Sequence, residues 1–222
     1  MEPDAPSIIR ALLERHGRTF AWELSIPIER NTPSPLFRLL CASLLFSAPI
    51  QASIAARAAR ALQKQGWTTA EKMAASSWAD RARVLNEAGY ARYDNSTSTM
   101  LGHTTELLLK RYGGDLRKLR EAASHRPGRE RQLLTEFKGI GDVGADIFLR
   151  EVQVVWTELF PFVDARAEAA AAKLGLDQDP RALLDVVGEE DFPRLVAGLV
   201  RVDLTHGYDA ILEDGGRFAE QD

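Results

Sequence analysis

Apolar side chains recur at spacings of three and four along most of the chain, the pattern of helices that bury one face. Residues 6–16, PSIIRALLERH, show it clearly. Residues 35–46 are almost continuously apolar, which predicts a helix buried on most of its sides. The sequence contains no convincing strand-like alternation, no low-complexity tract and no repeat of fixed period. We therefore predict an all-α protein of about ten helices joined by short connections.

Glycine, proline and capping residues divide this pattern into separate helices. Gly66 and Gly89 each stand where the apolar periodicity stops, and Ser77 begins a new segment with the pattern of a helix cap. Besides residues 6–16 and 35–46, we expect a short helix that begins near residue 68. The other expected helices cover 50–65, 77–88, 95–112, 115–124, 129–137, 142–156, 164–174, 180–187 and 190–205.

The composition narrows the class of protein. The 222 residues contain one cysteine, Cys41, which excludes intrachain disulfides and a Cys-ligated zinc or iron–sulfur site. It lies in the apolar run LFRLLCASLLF, where we expect a small buried core residue. The four histidines lack metal-ligand spacing, so we expect no metal site built from side chains. The first ten residues do not resemble a signal peptide, and no run of about 18 uncharged apolar residues is present. A cytoplasmic protein without membrane association is expected.

The net charge of −4 conceals two halves of opposite sign. Residues 1–150 carry 22 Lys+Arg against 16 Asp+Glu, a net of +6, and residues 151–222 carry 6 against 16, a net of −10. Residues 110–138 alone contain nine bases and four acids. This basic stretch is either a contact surface for phosphates or a solvated helix face, and charge alone does not separate the two interpretations.

The stretch FKGIGDVGAD, residues 137–146, places three glycines between two helical patterns. It predicts two helices joined by a minimal hairpin, in which glycine permits positive φ and lets another molecule approach the main chain. Ile140 would fix the hairpin by packing inward, and Gly144 would let the helices come close. The second helix begins with unpaired N–H groups and a partial positive charge, which suit a phosphate. The alternative is an ordinary C-cap glycine followed by a loop.

The hairpin and a second motif together resemble the helix-hairpin-helix DNA glycosylases, the endonuclease III (HhH-GPD) superfamily. The second motif is PFVDARAEAAAAKLGL, residues 161–176, which places Asp164 at the head of a helix, 23 residues after Gly141. The stretches NTPSPLFRLLCASLLFSAPIQAS (31–53) and AASSWADRARVLNEAGYARYDNSTSTMLGHTTELLLKRYGG (74–114) also resemble that family. The resemblance spans roughly residues 31–176.

The resemblance implies an architecture of two helical lobes with a cleft between them. One lobe would be barrel-like, cover residues 36–155 and end in the hairpin. The second would combine residues 1–35 with 156–222 and carry Asp164. The resemblance also implies that the hairpin grips double-stranded DNA through its backbone, and the residues expected to contact DNA are Lys138, Gly139, Ile140, Gly141, Val143 and Gly144.

Asp164 matches the family's catalytic aspartate, which faces the sugar of a nucleotide flipped out of the duplex. A carboxylate there steadies the cationic sugar that forms as the base leaves, and it orients or deprotonates the attacking water. The alternative is that Asp164 is only the N-cap of its helix, and both roles are compatible.

Two departures from the family restrict the chemistry. Bifunctional members carry a lysine where this chain has Val143, and valine cannot form a Schiff base, so no lyase step is expected. The terminal cysteines that hold an iron–sulfur cluster in many relatives are absent here. We therefore expect no cofactor, apart from a monovalent cation that hairpin carbonyls hold in many such folds.

The residue that fills the gap left by a flipped base is expected in the turn after the first barrel helix. In this chain Pro49 lies closest to the position where the family usually has glutamine. Ile50 and Gln51 follow it and are the other candidates. Base-pocket candidates come from GYARYDNSTST, residues 89–99: Tyr90 and Tyr93 for stacking, and Asp94 for hydrogen bonding to a base edge. The alternative for this second stretch is a helix start with two packed tyrosines.

The function these features favour is a monomeric, monofunctional DNA glycosylase of base excision repair. The alternative is a non-catalytic DNA-binding protein on the same scaffold, and a structural all-α protein that ignores DNA is the third interpretation. The sequence does not indicate which base is removed.

Overall fold

The computed structural model describes residues 3–220, and their regular secondary structure is entirely helical, with no strand among them. The prediction of an all-α chain is confirmed. The α-helices are α1 (Ala5–His16), α2 (Phe20–Glu23), α3 (Pro33–Phe46), α4 (Ala52–Lys64), α5 (Ala70–Ala74), α6 (Trp78–Glu87), α7 (Asp94–Tyr112), α8 (Leu116–Ala122), α9 (Pro127–Leu134), α10 (Asp142–Val152), α11 (Ala165–Lys173), α12 (Pro180–Thr205) and α13 (Tyr208–Ala219). Short 3₁₀ turns cover Ile28–Arg30 and Thr157–Leu159.

Side-chain caps set the starts of the short helices. Thr69 accepts a hydrogen bond from the Lys72 N–H at 3.3 Å, and Ser77 accepts one from the Asp80 N–H at 3.0 Å. Each of these bonds satisfies an amide that a helix start leaves without a partner. The helix starts predicted near these two residues are confirmed.

Two features differ from the sequence prediction. The helices expected at 180–187 and 190–205 form one run, α12, but Gly188 within it is non-helical, with φ +78° and ψ 165°. The chain therefore bends where the sequence predicted a break. The prediction missed α2 because four residues are too few to show a period, and it also missed α13, whose sequence contains two consecutive glycines.

One compact unit comprises Leu24–Glu158. Its centre is α3, where Leu36, Phe37 and Leu40 have no exposed surface, and α3 packs against α4 and α10. Cys41 is a buried free thiol, and burial raises its pKa to about 12, as befits a core residue. The almost continuous apolar pattern of α3 is thus explained by burial on several sides.

The other compact unit comprises Met1–Glu23 with Leu159–Asp222. In it α1 packs against both α12 and α13, with Leu12, Phe192 and Ile211 fully buried. A Cβ at Gly198 would lie 3.5 Å from the Leu12 carbonyl, in ordinary van der Waals contact with α1. The predicted lobes, 36–155 and 1–35 with 156–222, and the cleft between them stay predictions.

None of the helices within residues 3–220 is long and apolar enough to cross a membrane.

Candidate functional site

The predicted hairpin connects α9, which ends at Leu134, to α10, which begins at Asp142. Phe137 and Ile140 hold it in place, since they are 1% and 2% exposed. The Ile140 N–H donates to the Phe137 carbonyl at 2.9 Å, which closes the turn. Gly139 between them has φ +91°, a conformation that L side chains rarely adopt. Ile140 therefore fixes the hairpin by packing inward, as the sequence predicted.

The three glycines of the hairpin have different roles. A Cβ on Gly139 would lie 2.8 Å from the Met100 sulfur and 3.1 Å from Leu44 Cδ1, so this position has no room for a side chain. A Cβ on Gly144 would meet Ile140 at 3.4 Å, a tight contact between the hairpin and α10. A Cβ on Gly141 would have no atom within 4 Å. Gly141 therefore exposes main chain to solvent, whereas Gly139 and Gly144 serve packing.

The start of α10 is uncapped by side chains. Gly141 occupies the N-cap position in extended conformation, and no side chain among the described residues accepts a hydrogen bond there. The first turn of α10 thus offers N–H donors and the positive end of the helix dipole. Asp142 is the only acid in that turn, and its exposed carboxylate lies 3.4 Å from Arg131, which also pairs with Asp146. This acid offsets part of the positive potential.

Two hydroxyl groups support the hairpin from neighbouring elements. Thr104 of α7 donates to the Lys138 carbonyl at 2.8 Å, and Ser47, directly after α3, lies 3.5 Å from the Gly139 carbonyl. Sequence analysis did not find Thr104, because a threonine inside a helix has no pattern that signals such a contact. Two carbonyls of the hairpin thus already accept a hydroxyl, and the monovalent cation at this turn stays a prediction.

The turn after α3 lies beside the hairpin through Ser47. Its wedge candidates Pro49 and Gln51 are exposed, and Ile50 is half-buried. Gln51 is the N-cap of α4, yet its side chain makes no capping hydrogen bond. Of the DNA-contact candidates of the hairpin, Lys138, Gly141 and Val143 are exposed, the last of them 55%, whereas Ile140 and Gly144 are buried. The structure therefore brings together hairpin and turn, two groups far apart in sequence.

The base-pocket assignment of Tyr90 is corrected by the structure. Tyr90 is fully buried, and its hydroxyl donates to the Leu45 carbonyl at 2.8 Å. Burial raises its pKa to about 12. The ring has no surface on which a base could stack, because it packs in the core of its unit. Tyr93 and Asp94 are half-buried at the start of α7, where Asp94 accepts a hydrogen bond from the Asn86 amide at 2.7 Å.

Asp164 begins α11, as predicted. Its Oδ1 accepts a hydrogen bond from the Ala167 N–H at 2.9 Å, so it is the N-cap, and the residue is 5% exposed. The positive end of the α11 dipole stabilises a negative charge at this position. The capping role is therefore observed, and the catalytic role stays a prediction.

Acids of the same chain neutralise four of the nine bases in residues 110–138. Arg111 pairs with Glu136, Arg117 with Asp115, Arg120 with Glu158, and Arg131 with Asp142 and Asp146. The phosphate footprint suggested by charge alone is thus smaller than the sequence implied.

Sequence analysis did not find a cluster formed by the buried Glu130 with Glu158 and Arg120, which are both half-buried. Two N–H groups of Arg120 donate to the carboxylate of Glu158 at 2.6 and 2.5 Å, and these bonds hold the pKa of Glu158 well below its usual range. Glu130 of α9 has no exposed surface, and neither of its oxygens accepts a hydrogen bond from the residues described. Burial, and then the adjacent Glu158, raise the pKa of Glu130 to about 8. No sequence signal marks these residues, since Glu and Arg at surface-like spacing are common.

Comparison with known proteins gives a weak structural match and no sequence match. No family model matches the sequence, and no curated protein sequence matches it. A solved structure described as a trapped endonuclease III–DNA covalent intermediate, an estranged-adenine complex, superimposes with a TM-score of 0.49 and 16% sequence identity. The match covers 75% of this chain and 73% of that chain. A likeness of this size does not establish that the chain belongs to that protein's family.

Proposed function

We propose that this chain is a monofunctional DNA glycosylase that binds double-stranded DNA, flips out a damaged or modified base and hydrolyses its N-glycosidic bond. The observation that carries the proposal is the open main chain at Gly141, directly before the uncapped start of α10. It lies in a hairpin that the packing of Phe137, Gly139 and Ile140 holds in place. Asp164 begins a helix at the spacing expected for the catalytic carboxylate.

The hairpin suits contact with a DNA backbone. A phosphate oxygen approaching Gly141 meets no side chain and accepts hydrogen bonds from the amides of the first turn of α10. Because such contacts involve phosphate rather than base edges, they position the protein without reading sequence. Lys138 adds an exposed positive charge next to the turn.

The proposed chemistry uses Asp164 at the flipped nucleotide. The bond between C1′ of the sugar and the base nitrogen breaks, and its electron pair leaves with the base, so the sugar becomes cationic. The carboxylate of Asp164 stabilises that cation and accepts a proton from the water that adds to C1′. That proton passes to the departing base, which balances the hydrolysis. Burial of Asp164 strengthens the electrostatic interaction, because the effective dielectric constant is lower away from solvent.

The test compares two matched N-cap aspartates of the same unit. Asp164→Asn removes the carboxylate charge but keeps a good capping residue. Asp179→Asn makes the same change at the cap of α12, where Asp179 accepts a hydrogen bond from the Arg181 N–H at 3.0 Å. Single-turnover base release is measured on duplexes containing uracil, alkylated, oxidised or mismatched bases.

We expect the parent to release at least one of these bases, Asp164→Asn to be at least about 100-fold slower, and Asp179→Asn to match the parent. Equal rates for Asp164→Asn and the parent would refute the catalytic assignment. The duplex panel also identifies the base, which the sequence does not indicate.

A second candidate function is a non-catalytic DNA-binding protein on the same scaffold. Two observations favour it. The carboxylate of Asp164 is 5% exposed and already caps a helix, and position 143 carries valine instead of the family's lysine. It predicts salt-dependent duplex binding without base release from any substrate. A chain that binds no duplex at low salt would refute both candidates.

A further inference from the structure

A groove of about 690 Å³ lies within the unit formed by Met1–Glu23 and Leu159–Asp222. It is bounded by the end of α1, the turn after it, α2 and α12. Its volume falls in the range typical of small-molecule sites, about 300–1,000 Å³. The side chains that give the groove its character are Arg15, His16, Arg18, Trp22, Arg194 and Arg201.

Trp22 lines this groove and gives it an aromatic surface. It is 62% exposed, more than any other large apolar side chain in residues 3–220. The guanidinium carbon of Arg18 lies 4.7 Å from the centre of its ring, and no carboxylate among the described residues pairs with Arg18. An exposed indole with an adjacent cation forms a flat surface on which a planar anionic ligand can stack.

Two arginines of α12 brace the turn that presents these side chains. Arg194 Nε donates to the Gly17 carbonyl at 2.9 Å, and Arg201 Nε donates to the Arg18 carbonyl at 2.9 Å. Arg201 also donates to Glu23 at 2.7 Å. Two consecutive carbonyls, those of Gly17 and Arg18, thus each accept a hydrogen bond from α12. The groove is therefore organised before any ligand arrives, which lowers the entropic cost of binding.

Four arginines and two glutamates set the electrostatic environment of the groove. Burial lowers the pKa of His16, and the charges of Arg201 and Arg15 lower it further. Acids offset most of this charge, since Arg15 pairs with Asp214 at 2.6 Å, Arg201 pairs with Glu23 at 2.7 Å and Arg194 pairs with Asp191. Arg18 retains its unpaired charge beside the indole.

We propose that this groove binds a nucleotide unit, with its base stacked on Trp22 and its phosphate bound by Arg18. Stacking on an aromatic ring tolerates every base, because each has a π-face. Arginine binds phosphate through paired N–H groups. A free nucleotide and one residue of a single strand share this chemistry. The inference concerns a site that the proposed glycosylase reaction does not use, and it stands independently of that function.

The test is a titration of the full chain, followed by tryptophan fluorescence and by the NMR signals of the His16 ring. The probes are deoxyadenosine 5′-monophosphate and a twelve-nucleotide single strand of deoxyadenylate. We expect quenching of Trp22 fluorescence and a rise in the pKa of His16, because a bound phosphate opposes the field of the arginines. Equal affinity for both probes identifies a free nucleotide as the ligand, and tighter binding of the strand identifies a single strand.

Substitutions locate the site. Trp22→Ala should weaken binding about 5- to 150-fold, the range for loss of one stacked base, and Trp22→Phe should retain most of the affinity. Arg18→Gln should weaken it about 10- to 150-fold, as expected for loss of a hydrogen bond to a charged group. Trp78→Ala removes an indole that is 47% exposed in the other unit, and it should bind as the parent does.

Gly141→Ala and Asp164→Asn should also bind the mononucleotide as the parent does, so failure of the glycosylase proposal is distinguishable from failure of this one. Two results would overturn the inference. One is the absence of quenching and of any His16 shift with both probes at millimolar concentration. The other is binding that persists unchanged in both Trp22→Ala and Arg18→Gln.

Discussion

Gly139 and Gly141 are two residues apart, yet alanine should have different consequences at the two positions: it should lower stability at Gly139 and weaken duplex binding at Gly141. At Gly139 the backbone has φ +91°, and an added Cβ would lie 2.8 Å from the Met100 sulfur and 3.1 Å from Leu44 Cδ1. At Gly141 φ is −92° and ψ is −164°, and an added Cβ has no neighbour within 4 Å.

The magnitude for Gly139→Ala has two parts. A non-glycine residue in a sparsely populated backbone region costs about 1–3 kcal/mol. Overpacking the contact with Met100 and Leu44 costs about 1–3 kcal/mol more, reduced where the Met100 side chain moves aside. The sum, about 2–5 kcal/mol, corresponds to a melting temperature lower by about 5–20 °C for a chain of this length.

For Gly141→Ala we expect a change in unfolding free energy within about 1 kcal/mol. Alanine lowers the entropy of the unfolded chain, which stabilises, but it is a poorer N-cap than glycine, which destabilises. If a phosphate approaches the main chain here, the methyl group blocks it, and duplex affinity should fall about 10- to 150-fold.

The assays are thermal melting followed by circular dichroism, and duplex binding at fixed low salt by fluorescence anisotropy. Gly139→Ala with the melting temperature of the parent would show that the hairpin conformation is wrong. Gly141→Ala with full duplex affinity and normal melting would show that DNA does not contact the hairpin at this glycine.

Three further predictions follow from the same unit. The pKa of Glu130 is raised from about 4.5 to about 8, so the folded chain binds the proton more tightly than the unfolded chain does, and the free energy of unfolding should fall as pH rises through that window. Glu130→Gln, which has no such proton, should lose this pH dependence in urea titrations at pH 5 and pH 8.5; an unchanged dependence contradicts the assignment. Asp142→Asn should tighten duplex binding and steepen its salt dependence, because it removes a negative charge at the start of α10 while Arg131 stays paired with Asp146; weaker binding would argue against a phosphate there. Borohydride should trap no covalent complex of the parent with lesion DNA, since Val143 has no amine. Val143→Lys supplies an amine there and should allow trapping. A trapped complex of the parent would show that a lyase step does occur.

The sequence by itself determined the helical class, most helix bounds and the hairpin. These are local properties: the apolar period, capping residues such as Ser77, and glycine in a short connection all act within a few residues of one another. Ile140 was correctly expected to pack inward, because an apolar side chain in a polar turn gains from burial. The bend at Gly188 was predicted for the same local reason.

The tertiary structure decided which of these residues face solvent. Gly139 and Gly141 look alike in the sequence, and only the neighbouring Met100 and Leu44 make the first a packing requirement and the second an open surface. Tyr90 seemed available for stacking until the structure placed its hydroxyl against Leu45, 45 residues earlier in the chain. Likewise, the charge of the basic stretch could not be judged before its ion pairs were known, because acids such as Glu158 come from distant segments. Burial and charge pairing depend on contacts between residues far apart in the chain, so a local pattern does not contain them.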